Sequence, residues 1–250
     1  MAEHHLTLDP HNPGQFFACC GMFELAGLLS PGGEAWFADA GRTFAIVTEA
    51  HLPPRSLSLA PQGDPADRLY DATVEPLELA MGEHRLALNW WLNDTLTGKS
   101  PLKTWGGQQT PRGVLDEMLR LLDFSIPVAT LNQSCAYTTS RFGVDARSAW
   151  DALDLGYSPN DESRKADKQA VTFPWIEVLA AAGLQGFRPA QESRTRYRYT
   201  AWLAPLPLAT ARAACAAAWP GLPSRSFAFE VAIRGQGYKT FLFAKGVDHA

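Results

Sequence analysis

The sequence lacks the features that mark secreted, membrane-spanning and disulfide-stabilised proteins. Its first residues have no basic end followed by an apolar run, so we expect no secretory signal. Polar residues or proline interrupt the apolar stretches well before the roughly 18 residues that span a bilayer. The four cysteines include no CxxC pair and suggest no disulfide framework. We therefore expect a soluble, cytoplasmic protein with reduced thiols and no membrane contact.

Motifs for catalysis and cofactor binding are missing as well. The sequence has no GxSxG nucleophile, no phosphate-binding GxxxxGK[ST] and no GxGxxG. None of the six histidines lies in HExxH or pairs with cysteine at zinc spacing. We expect no metal, no cofactor and no enzyme activity. His11, close to Asp9, keeps metal-independent RNA cleavage open, because some RNA-cleaving folds need only one His or Tyr near a bound backbone.

Charge is distributed unevenly along the 250 residues, whose net charge is -4. Residues 1–100 hold 5 Lys and Arg against 13 Asp and Glu, whereas residues 186–245 hold 9 basic and 2 acidic residues. We interpret the chain (1–250) as a single α+β domain with an acidic N-terminal lobe at 1–130 and a basic C-terminal lobe at 131–250. This suits a subunit that meets a polyanion on one side only, with Lys239 among the contacts, although ordinary charge scatter gives a similar pattern.

The hydrophobic periodicity predicts a mixture of helices and strands. Predicted helices cover 14–29, 111–124, 173–182 and 209–219, and predicted strands cover 4–8, 43–48, 74–79, 85–92, 197–203, 226–233 and 238–244. This order fits an α+β fold in which an antiparallel sheet has helices on one face, with ferredoxin-like (RRM-like) elements. The two ends of the chain have weakly similar orders of elements, each with a strand, a helix and then a strand or hairpin. This similarity also suggests two related halves.

A glycine-rich loop at 99–109 is the first candidate for binding nucleic acid. Lys99 and Lys103 supply positive charge, and Trp105 supplies a stacking surface. Gln108 can bond to base edges or phosphates. In the alternative interpretation, Trp105 anchors this loop in the core.

A long polar segment at 140–172 is the second candidate, because loops of this length are usually functional or mobile. Basic side chains beside a glycine-containing turn can hold a phosphodiester. The basic residues of this segment are Arg141, Arg147, Arg164, Lys165 and Lys168. In the alternative interpretation, Arg141 or Arg147 pairs with a local carboxylate, Asp145 or Asp151.

A strand in which basic and aromatic residues alternate is the third candidate. On a strand, Arg194, Arg196 and Arg198 share one face, while Tyr197 and Tyr199 lie on the other. We expect the arginines to contact phosphates and Tyr197 to stack on a base or to pack beside a sugar. In the alternative interpretation, the arginines form a solvated face and the tyrosines pack inward.

Several motifs along the chain resemble those of a known family. The most specific is residues 12–26, NPGQFFACCGMFELA. The others are 90–92 (WWL), 103–109 (KTWGGQQ), 142–143 (FG), 150–159 (WDALDLGYSP) and 173–189 (FPWIEVLAAAGLQGFRP). Together they resemble the Csb group of CRISPR-associated proteins found in subtype I-G (formerly I-U) systems, and the double cysteine Cys19-Cys20 favours this group.

The resemblance implies a subunit of a Cascade-type surveillance complex, a CRISPR RNA-guided ribonucleoprotein that acts in antiviral defence. Such complexes hold CRISPR RNA on ferredoxin-like subunits and pair it with target DNA. The implied partners are CRISPR RNA, target DNA and other Cascade subunits, and no catalytic residue carries over. We expect a non-catalytic subunit that binds the CRISPR RNA or the target DNA backbone. Two alternatives stay open: a CRISPR RNA-processing endoribonuclease, and a protein–protein assembly subunit without nucleic-acid contact.

Overall fold

The computed structural model shows an α+β protein with several antiparallel sheets, as the sequence predicts. It describes residues 1–60, 77–89, 102, 104, 109–138, 140–148, 170–217, 219–234 and 238–247. The α-helices in these residues are α1 (Pro13–Leu29), α2 (Pro111–Arg120), α3 (Pro174–Gly186) and α4 (Leu208–Ala216). Each was predicted, with shifts at the ends. None of the helices in the described ranges is long and apolar enough to cross a membrane.

The first sheet contains the N-terminal strands. Its order is β1 (Ala2–Thr7), β3 (Thr43–Thr48), β2 (Glu34–Ala38) and β11 (Leu206–Pro207). Because β1 and β2 are both antiparallel to β3, they run parallel to each other with β3 between them. Helix α1 connects β1 to β2 and completes a split βαβ unit, which is one element of ferredoxin-like folds. The complete ferredoxin-like (RRM-like) arrangement stays a prediction.

The second sheet contains the C-terminal strands. Its order is β13 (Tyr238–Phe241), β12 (Ser224–Arg234), β10 (Arg196–Trp202) and β9 (Ala190–Gln191), and β14 (Lys245–Val247) pairs with β12 on the β13 side. The predicted pairing of β12 with β13 is confirmed. Helix α4 connects β10 to β12, which are direct antiparallel neighbours. The two ends of the chain therefore share the order strand, helix, strand, but differ in sheet order.

Two smaller sheets contain the remaining described strands. One has the order β4 (Ser58–Leu59), β5 (Leu77–Met81) and β6 (His84–Leu88), and the other pairs β7 (Ala136–Thr138) with β8 (Ala170–Thr172). The strand predicted at 85–92 corresponds to β6, which ends at Leu88. Residues 90–92 of that prediction lie outside the described residues.

Helices α1 and α3 cross in direct backbone contact. A Cβ on Gly21 would lie 1.8 Å from the carbonyl oxygen of Leu179, and a Cβ on Gly183 would lie 2.1 Å from that of Phe17. Both positions require glycine because a side chain would push the helices apart. The sequence predicts that the third helix stops at Gly183, and this is wrong. Helix α3 continues to Gly186, because Gly183 does not end the helix but allows α1 to pack closely against it.

Aromatic side chains connect both large sheets through α1. Phe16 stacks on Phe37 of β2 and on Tyr199 of β10, at centroid distances of 4.9 and 4.3 Å. Nε1 of Trp202 donates to the carbonyl oxygen of Ala35 in β2, 2.7 Å away. The hydrophobic core is continuous and includes residues of both predicted lobes. The aromatic face of the second sheet thus packs on α1, and its opposite face carries the basic residues of β10.

Candidate nucleic-acid interface

The structure describes part of the residue set predicted to bind nucleic acid. Outside the described residues lie Lys99, Lys103, Trp105, Gln108, Arg164, Lys165 and Lys168. The described members are Arg141, Arg147, Arg194, Arg196, Tyr197, Arg198 and Lys239. These lie on three segments: residues 140–148, β10 with the turn before it, and β13.

The predicted alternation along β10 is confirmed. Tyr197 and Tyr199 are buried, whereas Arg196 is exposed and Arg198 is half-buried. The ring of Tyr197 is 2% exposed and stacks on Phe229 at 5.6 Å. Burial also raises the pKa of the Tyr197 hydroxyl. The ring belongs to the core, which corrects the expectation that Tyr197 stacks on a base.

Two of the arginines share one carboxylate. Nε of Arg196 lies 2.9 Å from Oε2 of Glu192, and Nε of Arg198 lies 3.3 Å from Oε1 of the same residue. Arg196 also lies directly opposite Glu230 of β12. Nε of Arg198 makes no hydrogen bond in the described part of the chain. Glu192 therefore holds Arg196 more closely than it holds Arg198.

A row of three residues crosses the outward side of the second sheet. Arg198 of β10 is opposite Ala228 of β12, and Ala228 is opposite Lys245 of β14. Directly opposed residues share a face, and neighbouring strands are about 4.8 Å apart, so the two cations leave the sheet about 10 Å apart. Between them lies Ala228, which is buried. We call Arg196, Arg198, Ala228, Glu230 and Lys245 the outer face.

Further cations surround the second sheet. Four exposed cations have no ion-pair partner among the described residues: Arg188, Arg194, Arg225 and Lys245. By contrast, Arg212 is paired with the buried Glu24 of α1. The structure therefore retains a local excess of positive charge around this sheet, in line with the sequence count for residues 186–245.

Arg147 is held by the fold, which corrects its predicted role. Its Nη2 lies 2.7 Å from Oδ2 of Asp145, and its Nη1 donates to the carbonyl oxygen of Asn132 at 2.8 Å. Its guanidinium carbon lies 3.3 Å from the centroid of the Phe173 ring. The pair with Asp145 is the local salt bridge of the alternative interpretation. Its charge is paired with Asp145 and all three guanidinium nitrogens donate within the fold, so Arg147 fits the alternative interpretation and not the predicted phosphate contact.

Asp145 belongs to a buried polar network, which we define as Asn12, Asp145 and Glu177. Nδ2 of Asn12 donates to Oδ1 of Asp145 at 2.8 Å, and Oδ1 of Asn12 accepts the N–H of Ala146 at 3.1 Å. The Glu177 carboxylate accepts the N–H groups of residues 143–145 at 2.8 to 3.2 Å. Burial nevertheless raises the pKa of Glu177 to about 7. The network fixes this segment to the N-terminal ends of α1 and α3.

Next to the buried network, two of the predicted binding segments meet β13. The N–H of Lys239 donates to the carbonyl oxygen of Thr104 at 3.0 Å, and the N–H of Phe241 donates to that of Gly143 at 3.0 Å. Gly143 has a φ of 76°, and a Cβ there would lie 3.3 Å from the carbonyl oxygen of Lys239. Thr104 of the glycine-rich loop and Gly143 of the polar segment therefore both lie beside β13, although they are far apart from it in sequence.

The predicted cations nevertheless lie on two sides of the second sheet. Lys239 is opposite Ile233, which is an odd-numbered residue of β12. Ala228 and Glu230 of the outer face are even-numbered residues of the same strand. Since successive residues of a strand point to opposite faces, Lys239 and the outer face are on opposite sides.

His11 lies beside Asp9 at the edge of the second sheet. Its Nδ1 is 3.3 Å from Oδ1 of Asp9, and the two side chains are 51% and 47% exposed. Its ring packs edge-on against Phe227 at 5.3 Å, and its carbonyl oxygen accepts the N–H of Ala244 at 2.6 Å. Among the described residues, no group of three or more His, Cys, Asp or Glu could hold a metal ion.

Comparisons with protein-family models, curated proteins and solved structures found no match to this chain. The fold and the site define an α+β protein with antiparallel sheets, whose second sheet is surrounded by cations. Lys245 on the outer face and Arg194 before β10 are exposed and have no ion-pair partner among the described residues, and Arg198 lies 3.3 Å from its partner Glu192.

Proposed function

We propose that this chain is a non-catalytic nucleic-acid-binding subunit of a CRISPR RNA-guided surveillance complex of the Cascade type, acting in antiviral defence. It contacts the sugar-phosphate backbone of the CRISPR RNA or of the target DNA, and it assembles with other subunits of that complex. The resemblance to the Csb group supports membership of the complex. The outer face supports contact with nucleic acid.

The row Arg198, Ala228 and Lys245 is the observation that carries the proposed contact with nucleic acid. Lys245 is exposed and the side chain of Arg198 is 37% exposed, so phosphates can approach either cation. Lys245 has no ion-pair partner among the described residues, and Arg198 is held only at 3.3 Å by Glu192. A phosphate can therefore pair with either cation without breaking a close internal bond. Such contacts release counterions, so the binding depends strongly on salt and little on sequence.

The first experiment measures binding to a short fluorescein-labelled single-stranded RNA by anisotropy over a series of salt concentrations. Lys245→Ala and Arg198→Ala should each weaken binding to all sequences alike, and each should lower the slope of log K against log salt by about 0.7. Arg85→Ala is the matched control, because Arg85 is an exposed cation on β6 in another sheet. No binding by the wild-type chain at low salt, or unchanged slopes in both variants, would overturn the role of the outer face.

Membership of the complex is tested by co-expression with the neighbouring genes and a CRISPR array, followed by purification through a tag on this chain. We expect CRISPR RNA and other Cascade subunits to co-purify. If subunits remain bound after nuclease treatment and RNA crosslinking finds no contact on this chain, the assembly alternative replaces nucleic-acid binding. If neither RNA nor subunits co-purify, the proposed membership is contradicted.

The pairing of His11 with Asp9 is the observation that favours the endoribonuclease alternative. A histidine held at Nδ1 by a carboxylate can accept a proton at Nε2 from a ribose 2′-hydroxyl, and this step needs no metal. Incubation of the purified chain with CRISPR repeat RNA distinguishes the two functions. Discrete cleavage that is lost in His11→Ala would establish the enzyme, whereas intact RNA supports the non-catalytic subunit.

A further inference from the structure

A β-bulge lies between β13 and β14, at the edge of the second sheet. Val231 of β12 pairs with Phe241, whereas Ala228 pairs with Lys245. The two intervening residues of β12 therefore oppose three residues, 242–244. One extra residue in a strand bends it and re-aims its side chains.

The bulge turns Phe243 outward. Phe241 and Ala244 are buried, with 0% and 5% of their surface exposed, whereas Phe243 is 43% exposed. The buried Ala244 separates Phe243 from the exposed Lys245, so this alternation places Phe243 and Lys245 on the same side of the sheet. Phe243 makes no ring contact within the described part of the chain. An apolar ring is thus presented to solvent beside the cations of the outer face.

We propose that Phe243 is a stacking surface for a nucleobase, and that the outer face binds single-stranded nucleic acid. This inference rests on the proposed function and deepens it by naming the form of the ligand. Every base has a π-face, so stacking on an aromatic ring tolerates any sequence. The base must be unpaired, because the bases of a duplex are already stacked on one another. Phe243 therefore favours a single strand over a double helix.

The charges around Phe243 fit the backbone that accompanies a stacked base. Lys245 is two residues away along the chain, and Arg198 lies on the other side of Ala228 from Lys245. Glu192 lies beside Arg196 at the β10 side, whereas Glu230 of β12 lies between Arg196 and the bulge, where its carbonyl oxygen accepts the N–H of Leu242. Both carboxylates repel phosphates from the part of the outer face that holds Arg196. A base on Phe243 thus places its neighbouring phosphates toward Lys245 first and Arg198 second. The backbone then follows the β14 edge of the sheet.

Three other aromatic side chains in the described ranges are exposed, and none of them lies on a strand of the second sheet. Trp219 lies in the connection between α4 and β12. Phe124 packs edge-on against Trp175 at 5.3 Å. Tyr137 is 65% exposed but lies on β7, in the two-stranded sheet. Tyr137 is therefore a matched control for an exposed ring without the outer face beside it.

The test compares Phe243→Ala and Phe243→Tyr with the wild-type chain, using single-stranded RNA that contains 2-aminopurine and a duplex of the same sequence. Phe243→Ala should weaken single-strand binding by about 5- to 150-fold, the range for losing one base–aromatic stack, while the salt slope stays unchanged. Phe243→Tyr should retain the affinity. Stacking quenches 2-aminopurine, so quenching on binding should be kept in Phe243→Tyr and reduced in Phe243→Ala.

The outcomes separate this inference from the proposed function. If the wild-type chain binds RNA and Phe243→Ala binds it equally tightly, or loses single-strand and duplex binding alike, the stacking role is overturned and the proposed function stands. If the wild-type chain binds no nucleic acid, the proposed function itself fails. Tyr137→Ala should leave binding unchanged. Because Phe243 is exposed, an unchanged thermal midpoint will show that its variants are folded.

Discussion

The buried network and the outer face both bring carboxylates and arginine together, but at different depths. Asp145, which the network pairs with Arg147, is 0% exposed, whereas the side chains of Arg196 and Glu192 are 50% and 30% exposed. A buried charge must be paired within the fold because desolvation is costly. An exposed ion pair contributes little, and its arginine can exchange a carboxylate for a phosphate. The degree of burial thus distinguishes the charges that stabilise the fold from the charges that can bind a ligand.

The largest effect is expected from breaking the buried network. Asp145→Ala removes the partner of Arg147 and the acceptor of the Asn12 amide. Losing one member of a buried pair costs about 3 to 5 kcal/mol, so urea unfolding should show a loss of that size. Glu192→Ala is the matched change at the outer face and should cost under about 1 kcal/mol. Equal losses of unfolding free energy in Asp145→Ala and Glu192→Ala would contradict the distinction between buried and exposed ion pairs.

The titration of Glu177 gives the network a pH dependence. Burial raises the pKa of Glu177 to about 7 from an ordinary value of 4.5. The charge of Asp145 adds to this rise, whereas the N–H groups of Asp145 and Gly143 and the charge of Arg141 oppose it. Between these pH values the folded chain holds a proton that the unfolded chain has released. Stability therefore falls as pH rises through this window, by about 3 kcal/mol. This decline should disappear from urea unfolding curves of Glu177→Gln, and an equally steep decline in the variant would refute the assignment.

A smaller effect is expected where α1 touches the network. A Cβ on Gly14 would lie 2.5 Å from the carbonyl oxygen of Val144 and 2.7 Å from Cα of Asp145. Gly14→Ala should therefore cost about 2 kcal/mol through overpacking and lower the thermal midpoint. Gly113→Ala, at the start of α2, is the control, because its Cβ would meet only Oγ1 of Thr110 at 3.3 Å. That variant should be neutral or slightly stabilised.

The smallest effect is expected at the outer face, and it concerns binding. Glu192→Gln removes the carboxylate that Arg196 and Arg198 share. Its unfolding free energy should stay within about 0.5 kcal/mol of the wild type. Its affinity for single-stranded RNA should rise by about 1.4- to 5-fold, since the phosphate no longer competes with an internal partner. Glu78→Gln, on an exposed position of β5, controls for the change in net charge, and an equal rise there would contradict the local explanation.

The sequence predicted the helices and the longer strands because their apolar residues repeat over several turns or alternations. It missed β2, which has only five residues and follows a proline and two glycines. Such a strand is specified by its pairing with β3 and by Trp202, which lie far away in sequence. The continuation of α3 past Gly183 was missed for the same reason, since only the crossing with α1 explains that glycine.

The site could be predicted only where it depends on local periodicity. The alternation of arginines and buried tyrosines along β10 follows from the two-residue repeat of a strand, and the structure confirms it. The sequence left two interpretations of Arg147 open, a phosphate contact and a salt bridge with a local carboxylate. The structure shows the salt bridge, with Asp145. Phe243 was missed because residues 238–244 have the composition of one continuous strand. The bulge that exposes Phe243 is defined by the pairing of residues 241–245 with β12. A local sequence pattern cannot predict that pairing.

The most direct test of the outer face is photo-crosslinking of the wild-type chain to single-stranded RNA that contains 4-thiouridine, with mass spectrometry of the RNA-linked peptides. We predict crosslinks on the segment that contains Phe243 and Lys245, and a loss of those crosslinks in Phe243→Ala. Crosslinks confined to residues outside the second sheet would contradict the account.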